Sequence, residues 1–129
     1  MTRINCSIPV VTLNNRHLMA EHREIKRVCY RLKQRLESGK FSDIPAPFHE
    51  MKGDVIAFKE LFWLDKGEFT LKRYKQLYDE CKLRGFNVTD YSENWNIYKL
   101  KPEYFKDYAP TDEQNQMIQN RIDERNHKV

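Results

Sequence analysis

A regular spacing of apolar residues in the first third of the chain constrains the fold more than any other feature. The segment begins at Asn14 or Asn15, either of which is a good N-cap, and ends at Ser38 before Gly39, a typical helix stop. Its apolar positions keep helical spacing: Leu18, Ile25, Val28, Cys29, Leu32 and Leu36. We therefore predict one long helix that serves as a central scaffold.

Two further helices follow from the same kind of signal. The second begins within residues 65–68 and ends at Arg84, before Gly85. The third begins at Thr111, which forms a capping box with Gln114. A short strand is predicted at Val55–Phe58, and residues 88–110 are aromatic and irregular. The predicted fold class is all-α: a compact single domain over residues 1–129, with three main helices and long ordered loops.

Composition excludes several classes of protein. Of 129 residues, 40% are hydrophobic and 33% charged, which is typical of a globular domain and not of a disordered chain. No apolar run is long enough to span a bilayer, and no secretory signal is present, so we expect an intracellular protein. The cysteines, Cys6, Cys29 and Cys81, are odd in number and lack zinc-ligand spacing, which predicts buried free thiols and no zinc site. No other metal and no cofactor is expected.

Positive charge gathers on one side of the first predicted helix. The net charge is only +4, but four arginines lie opposite the apolar face: Arg16, Arg23, Arg27 and Arg31. The third helix adds Arg121 and Arg125, one turn apart. Arginines with this spacing can contact successive phosphates of DNA. The alternative is a solvated helix face without a ligand.

An acid and a hydroxyl residue stand out against this basic background. Glu24 lies within the arginine stripe, where it is either a salt-bridge partner or a catalytic carboxylate. Thr2 follows the initiator methionine, whose removal leaves an α-amine with a reference pKa near 8. Such an amine is more nucleophilic at pH 7 than a lysine. The alternative is an ordinary frayed chain end.

These residues belong to motifs that resemble those of a known family. The segments MTRIN and RHLMAEHREIKRV are similar to the signature of the pyrimidine-dimer DNA glycosylase/AP-lyase family of phages, the endonuclease V type. Weaker matches follow along the chain: LESGK, FWLDKGEF, ECKLRGFN and RIDER.

The resemblance implies a mechanism and a set of site residues. The Thr2 amine would attack C1′ of the damaged nucleotide, and Glu24 would stabilise charge and assist β-elimination. Arginines would hold the DNA backbone, and His17 would orient Glu24 or a phosphate. The implied DNA-binding residues are Arg3, His17, Arg23, Arg27, Arg121 and Arg125, to which the arginine stripe of the first predicted helix adds Arg16. The implied partner is double-stranded DNA, bound by a monomer in the cytoplasm of a prokaryotic or virus-infected cell.

The chain also departs from the family pattern. Arg16 replaces a glutamine, His22 replaces an aromatic residue, and KGDVIAFKELFWLDKG stands where the family has a glycine–histidine stretch. These changes concern lesion recognition more than the nucleophile. Three alternatives therefore remain: a glycosylase for a different lesion or modified base, a DNA-binding module without catalysis, and a structural helical protein.

Overall fold

The computed structural model of the chain describes residues 3–127. Four helices form its body: α1 (Asn15–Glu24), α2 (Arg27–Ser38), α3 (Gly67–Leu83) and α4 (Asp112–His127). A hairpin of β1 (His49–Lys52) and β2 (Val55–Phe58) is the one sheet in this part of the chain. Short 3-10 helices lie in the connections: Val10–Thr12, Glu60–Trp63, Ser92–Leu100 and Pro102–Tyr104. The predicted helical class is confirmed. None of the helices described is long and apolar enough to cross a membrane.

The predicted long first helix is wrong in one respect, because it divides into α1 and α2 at Ile25 and Lys26. The N–H of Val28 donates to the carbonyl of Ile25, three residues back, at 3.2 Å, which tightens one turn into 3-10 geometry. Neither glycine nor proline is present there. Instead, Ile25 is fully buried and the Lys26 ammonium lies 3.5 Å from the ring centre of Tyr91. Tertiary packing therefore accompanies the break.

The predicted helix ends are confirmed by their cap geometry. The Asn14 side chain accepts a hydrogen bond from the N–H three residues later at 2.9 Å. The Thr111 hydroxyl accepts from Gln114 N–H, and the Gln114 side chain accepts from Thr111 N–H, both at 3.1 Å. Gly39 and Gly85 end their helices with φ values of 72° and 85°, which favour glycine.

The core lies between the first two helices, α3 and the aromatic segment. Leu18, Ile25 and Leu32 are fully buried, as their spacing predicts. Tyr98 donates to the Leu64 carbonyl at 2.8 Å, and its ring packs so closely on Gly67 that a Cβ there would lie 2.6 Å from it. The aromatic residues of this segment thus anchor an ordered loop. The three cysteines are free and buried.

The predicted strand Val55–Phe58 is confirmed, and it pairs with a strand that the sequence analysis missed. The antiparallel register places His49 opposite Phe58 and Met51 opposite Ile56. Phe58 and Phe48 meet edge to face with ring centres 5.5 Å apart, which attaches the base of the hairpin to the core.

A buried ion pair ties the start of the chain to α1 and α3. Glu21 is fully buried, and both of its carboxylate oxygens accept from Arg73, at 2.8 and 2.9 Å. The same oxygens accept from the backbone N–H and side-chain amide of Asn5, at 3.0 and 2.9 Å. Arg73 also donates to the Ile8 carbonyl at 2.5 Å. Residues 5–8 are therefore held against both helices by one charge pair.

We expect Arg73→Met to lower the free energy of unfolding by roughly 3–5 kcal/mol, because it leaves the Glu21 carboxylate buried without its counter-charge. Urea denaturation measures this loss. Asp107→Asn is the matched control, since it breaks the exposed Lys72–Asp107 pair and should leave stability nearly unchanged. Equal stability of Arg73→Met and the parent would contradict the role given to the pair.

Candidate functional site

Helix α1 presents its two acidic residues to different environments. Glu21 points into the core, where Arg73 neutralises it. Glu24, one turn later, is the last residue of α1, and its side chain keeps 13% of its surface exposed. Because residues three apart lie on adjacent parts of a helix surface, the buried pair also anchors the helix turn that carries Glu24.

Glu24 lines an open cleft of about 420 Å³ together with most of the residues predicted for the site. The lining residues are Arg3, Arg16, His17, Ala20, Arg23, Glu24 and Arg125. We call this the Glu24 cleft. The chain start supplies Arg3, α1 supplies the middle of the cleft, and α4 supplies Arg125. Four guanidinium groups face one carboxylate, so the cleft is suited to a polyanion.

The positive groups of the Glu24 cleft lie close enough to influence one another. Burial lowers the pKa of Arg3, and the charge of Arg125 lowers it further, while Glu24 raises it. The Arg23 guanidinium lies 3.9 Å from the Glu24 carboxylate and is mostly exposed. The carboxylate therefore offsets part of the repulsion among the arginines while leaving them available to a ligand.

Two asparagines determine which nitrogen of His17 carries the proton. The Asn14 side-chain oxygen is committed to the helix cap, so its amide nitrogen donates to the Asn126 oxygen at 2.9 Å. That same Asn126 oxygen lies 2.9 Å from His17 Nε2. An oxygen can only accept there, so Nε2 carries the hydrogen and Nδ1 of the neutral ring is an acceptor.

Two residues that line the Glu24 cleft each carry a buried polar atom that is unsatisfied. Within residues 3–127, Arg3 Nε and His17 Nδ1 are the buried side-chain atoms without a hydrogen-bond partner. The first is a donor, and the second is an acceptor in the neutral ring. Burial lowers the pKa of His17, and the charges of Arg3, Arg125 and Arg16 lower it further, which favours that neutral ring. Such buried groups are rare without a ligand or water.

A comparison with protein families bears on this arrangement. A sequence model of the family described as pyrimidine dimer DNA glycosylase matches residues 1–94. The chain belongs to this family. The family acts on DNA as an N-glycosylase, which agrees with an arginine-lined cleft. The match includes the chain start and α1 to α3, whereas α4, with Arg125 and Asn126, follows the matched region.

The remaining predicted site residues are placed differently from the cleft residues. Thr2 lies outside the described residues. Arg27 is exposed at the start of α2, beyond the tightened turn, and does not line the Glu24 cleft.

Arg121 points inward: it donates to the Asn5 side chain at 3.1 Å and lies 4.6 Å over the Phe58 ring. Burial lowers its pKa to about 10. Arg31, which belongs to the arginine stripe of the first predicted helix, pairs with Glu60 at 3.1 Å.

Sequence reasoning missed several residues that support the site. Glu21 falls between Leu18 and Ile25 on the apolar face, and a charge at that position was a detectable sign of a buried partner. Neither Arg73 nor Asn126 carried such a sign. Among residues 3–127, no three His, Cys, Asp or Glu side chains lie together so as to hold a metal ion.

We expect nitrogen-detected NMR at neutral pH to show the Nε2–H tautomer of His17. Asn126→Leu should lower the His17 pKa further, because the Asn126 hydrogen bond raises it. Asn120→Leu, at an exposed position on the same helix, is the control. A predominant Nδ1–H tautomer in the parent would contradict the hydrogen-bond assignment.

Because the folded-state pKa of His17 lies below the ordinary value of 6.5, His17 contributes stability above pH 6.5 that is lost on acidification.

Proposed function

We propose that this member of the family removes a damaged pyrimidine from DNA and then cleaves the strand, acting as a glycosylase and AP lyase. The pyrimidine dimer is the proposed lesion, and the α-amine of Thr2, freed by removal of Met1, is the proposed nucleophile. The observation that carries the proposal is the Glu24 cleft, in which one carboxylate stands among four arginines. One of these, Arg3, is the residue after Thr2.

The chemistry proceeds in two stages. In the first, the amine nitrogen bonds to C1′, and the glycosidic bond breaks with its electron pair leaving on the base, which takes up a proton. Loss of the amine proton and opening of the sugar ring give an imine between nitrogen and C1′. In the second, a base removes a proton from C2′, and the C3′–O bond breaks with the phosphate as leaving group. Glu24 stabilises the positive charge that develops at C1′ and moves the protons.

The other cleft residues hold the substrate in place for these steps. Arg3, Arg16, Arg23 and Arg125 bind phosphates around the lesion, and Arg27 extends this contact along α2. Arg3 Nε is an unsatisfied donor and His17 Nδ1 an unsatisfied acceptor, so each suits an oxygen that can accept or donate, as a sugar hydroxyl or a water molecule does. Arg121 is held by Asn5 and Phe58, so it faces DNA only from the side of the hairpin.

Borohydride trapping tests the proposed nucleophile. We expect a covalent adduct with duplexes that contain an abasic site or a cyclobutane dimer, because reduction captures the imine. The control is the same protein with an uncleaved N-terminal extension, which converts the Thr2 amine into an amide and should abolish trapping. An adduct with the abasic site alone indicates another lesion. Binding without an adduct on either duplex leaves only a DNA-binding module.

We expect Glu24→Gln to abolish strand cleavage at an abasic site while DNA affinity stays equal or increases, because the change removes a negative charge from the Glu24 cleft. Cleavage is measured on gels, and affinity by fluorescence anisotropy. Glu37→Gln, at an exposed position on α2, is the matched control and should keep parental activity. Parental cleavage by Glu24→Gln would rule out the proposed role of this carboxylate.

A further inference from the structure

The apolar face of the β1–β2 hairpin continues beyond the edge of the core. Cross-strand pairs that alternate along a hairpin point to the same side, so His49–Phe58 and Met51–Ile56 share one face. The first pair is half-buried against the body of the protein. In the second, Met51 is 58% exposed and Ile56 is 41% exposed. The first pair is thus attached to the core through Phe58, and the apolar pair Met51–Ile56 extends beyond the core.

Ile56 of this exposed pair lines a second cleft, which adjoins the Glu24 cleft. This hairpin cleft, of about 400 Å³, separates β2 from α4 and is lined by Asp54, Val55, Ile56, Phe58, Met117, Asn120, Arg121, Glu124 and Arg125. Arg125 lines both clefts, so a ligand that contacts it in the Glu24 cleft also comes close to the hairpin. The outermost cross-strand pair joins exposed Lys52 to Val55, which is 66% exposed.

Duplex DNA is the ligand whose shape and chemistry suit this combination. The glycosidic bonds of a base pair both lie on its minor-groove side, so this groove is the direct route to C1′ of a nucleotide within the duplex. Apolar side chains next to basic ones are the means by which proteins enter the minor groove, where they pack against base steps and unstack them. Exposed apolar residues at the tip of a hairpin, beside a basic cleft, have the same arrangement.

We propose that the tip of the β1–β2 hairpin is a second DNA-contacting surface, on which Met51 and Ile56 pack against base pairs in the minor groove beside the nucleotide held in the Glu24 cleft. This inference rests on the proposed function, since it takes DNA as the ligand of that cleft. Lys52 contacts a flanking phosphate, and Arg125 bridges the two surfaces. The hairpin thereby adds apolar binding energy to a contact that is otherwise electrostatic.

The double variant Met51→Ser/Ile56→Ser tests the contact in the full chain. We expect its affinity for a duplex with an abasic-site analogue to fall about tenfold or more, because apolar packing is lost. The salt dependence of binding should not change, whereas Arg125→Ala should reduce the salt slope by about one. Fluorescence of 2-aminopurine next to the abasic analogue reports unstacking, which the parent should cause and the double variant should not.

Two controls separate folding from binding. Leu83→Ser/Leu100→Ser replaces two leucines that are 82% and 70% exposed and line neither cleft, and it should bind DNA like the parent. Ile56→Thr keeps a β-branched residue in the strand and should lose part of the affinity without loss of thermal stability. Unchanged affinity and unchanged 2-aminopurine fluorescence in a folded Met51→Ser/Ile56→Ser variant would overturn the inference.

Trapping on a single-stranded abasic oligonucleotide distinguishes this inference from the proposed function. No groove exists in that substrate, so the hairpin variant should form the borohydride adduct at the parental rate. A parent protein that forms no adduct with any substrate overturns the proposed lyase chemistry, while the affinity comparison still decides the role of the hairpin. A parent that binds no DNA overturns both.

Discussion

The ion pair between Glu21 and Arg73 is the interaction on which the rest of the structure depends. A carboxylate with no exposed surface is stable only with a counter-charge and filled hydrogen-bond positions, and Arg73 with Asn5 provides both. The pair joins α1 to α3 across the core. It also secures the backbone of residue 5, so the chain start is oriented by a buried charge and not by local secondary structure.

The position of the Glu24 cleft follows from this arrangement. Arg3 is two residues before the secured Asn5, and Glu24 is one turn after Glu21 on the same helix, so both edges of the cleft derive from one buried contact. Helix α4 closes the remaining side with Arg125 and with Asn126, which orients His17. The result is a polar cleft whose charges and hydrogen-bond donors are arranged before a ligand binds, and this reduces the reorganisation that binding requires.

The hairpin adds a different kind of surface to this basic cleft. Its base is part of the core through Phe58, whereas its tip exposes apolar side chains. Arg121 connects the two regions, since it contacts Phe58 on the hairpin and Asn5 in the chain start. Arg121 therefore points inward from α4 and supports the arrangement of the two clefts. Its spacing from Arg125 predicts instead a residue on the DNA-binding face.

The sequence by itself determined the helical class, the helix caps, the strand at Val55–Phe58 and the buried face of α1 and α2. These features depend on backbone geometry and on neighbours within a few residues, and a periodic pattern records both. It also identified the acid and arginines that line the Glu24 cleft, largely because their motifs resemble a family.

Only the tertiary structure decided the break at Ile25 and Lys26, the partner strand β1, the inward direction of Arg121 and the tautomer of His17. Each of these depends on contacts between residues distant in the chain, such as His17 with Asn126 or Glu21 with Arg73. Local propensity is weak compared with burial and hydrogen bonding across the core, so packing determines such features. The pattern of residue types along the sequence therefore does not predict them.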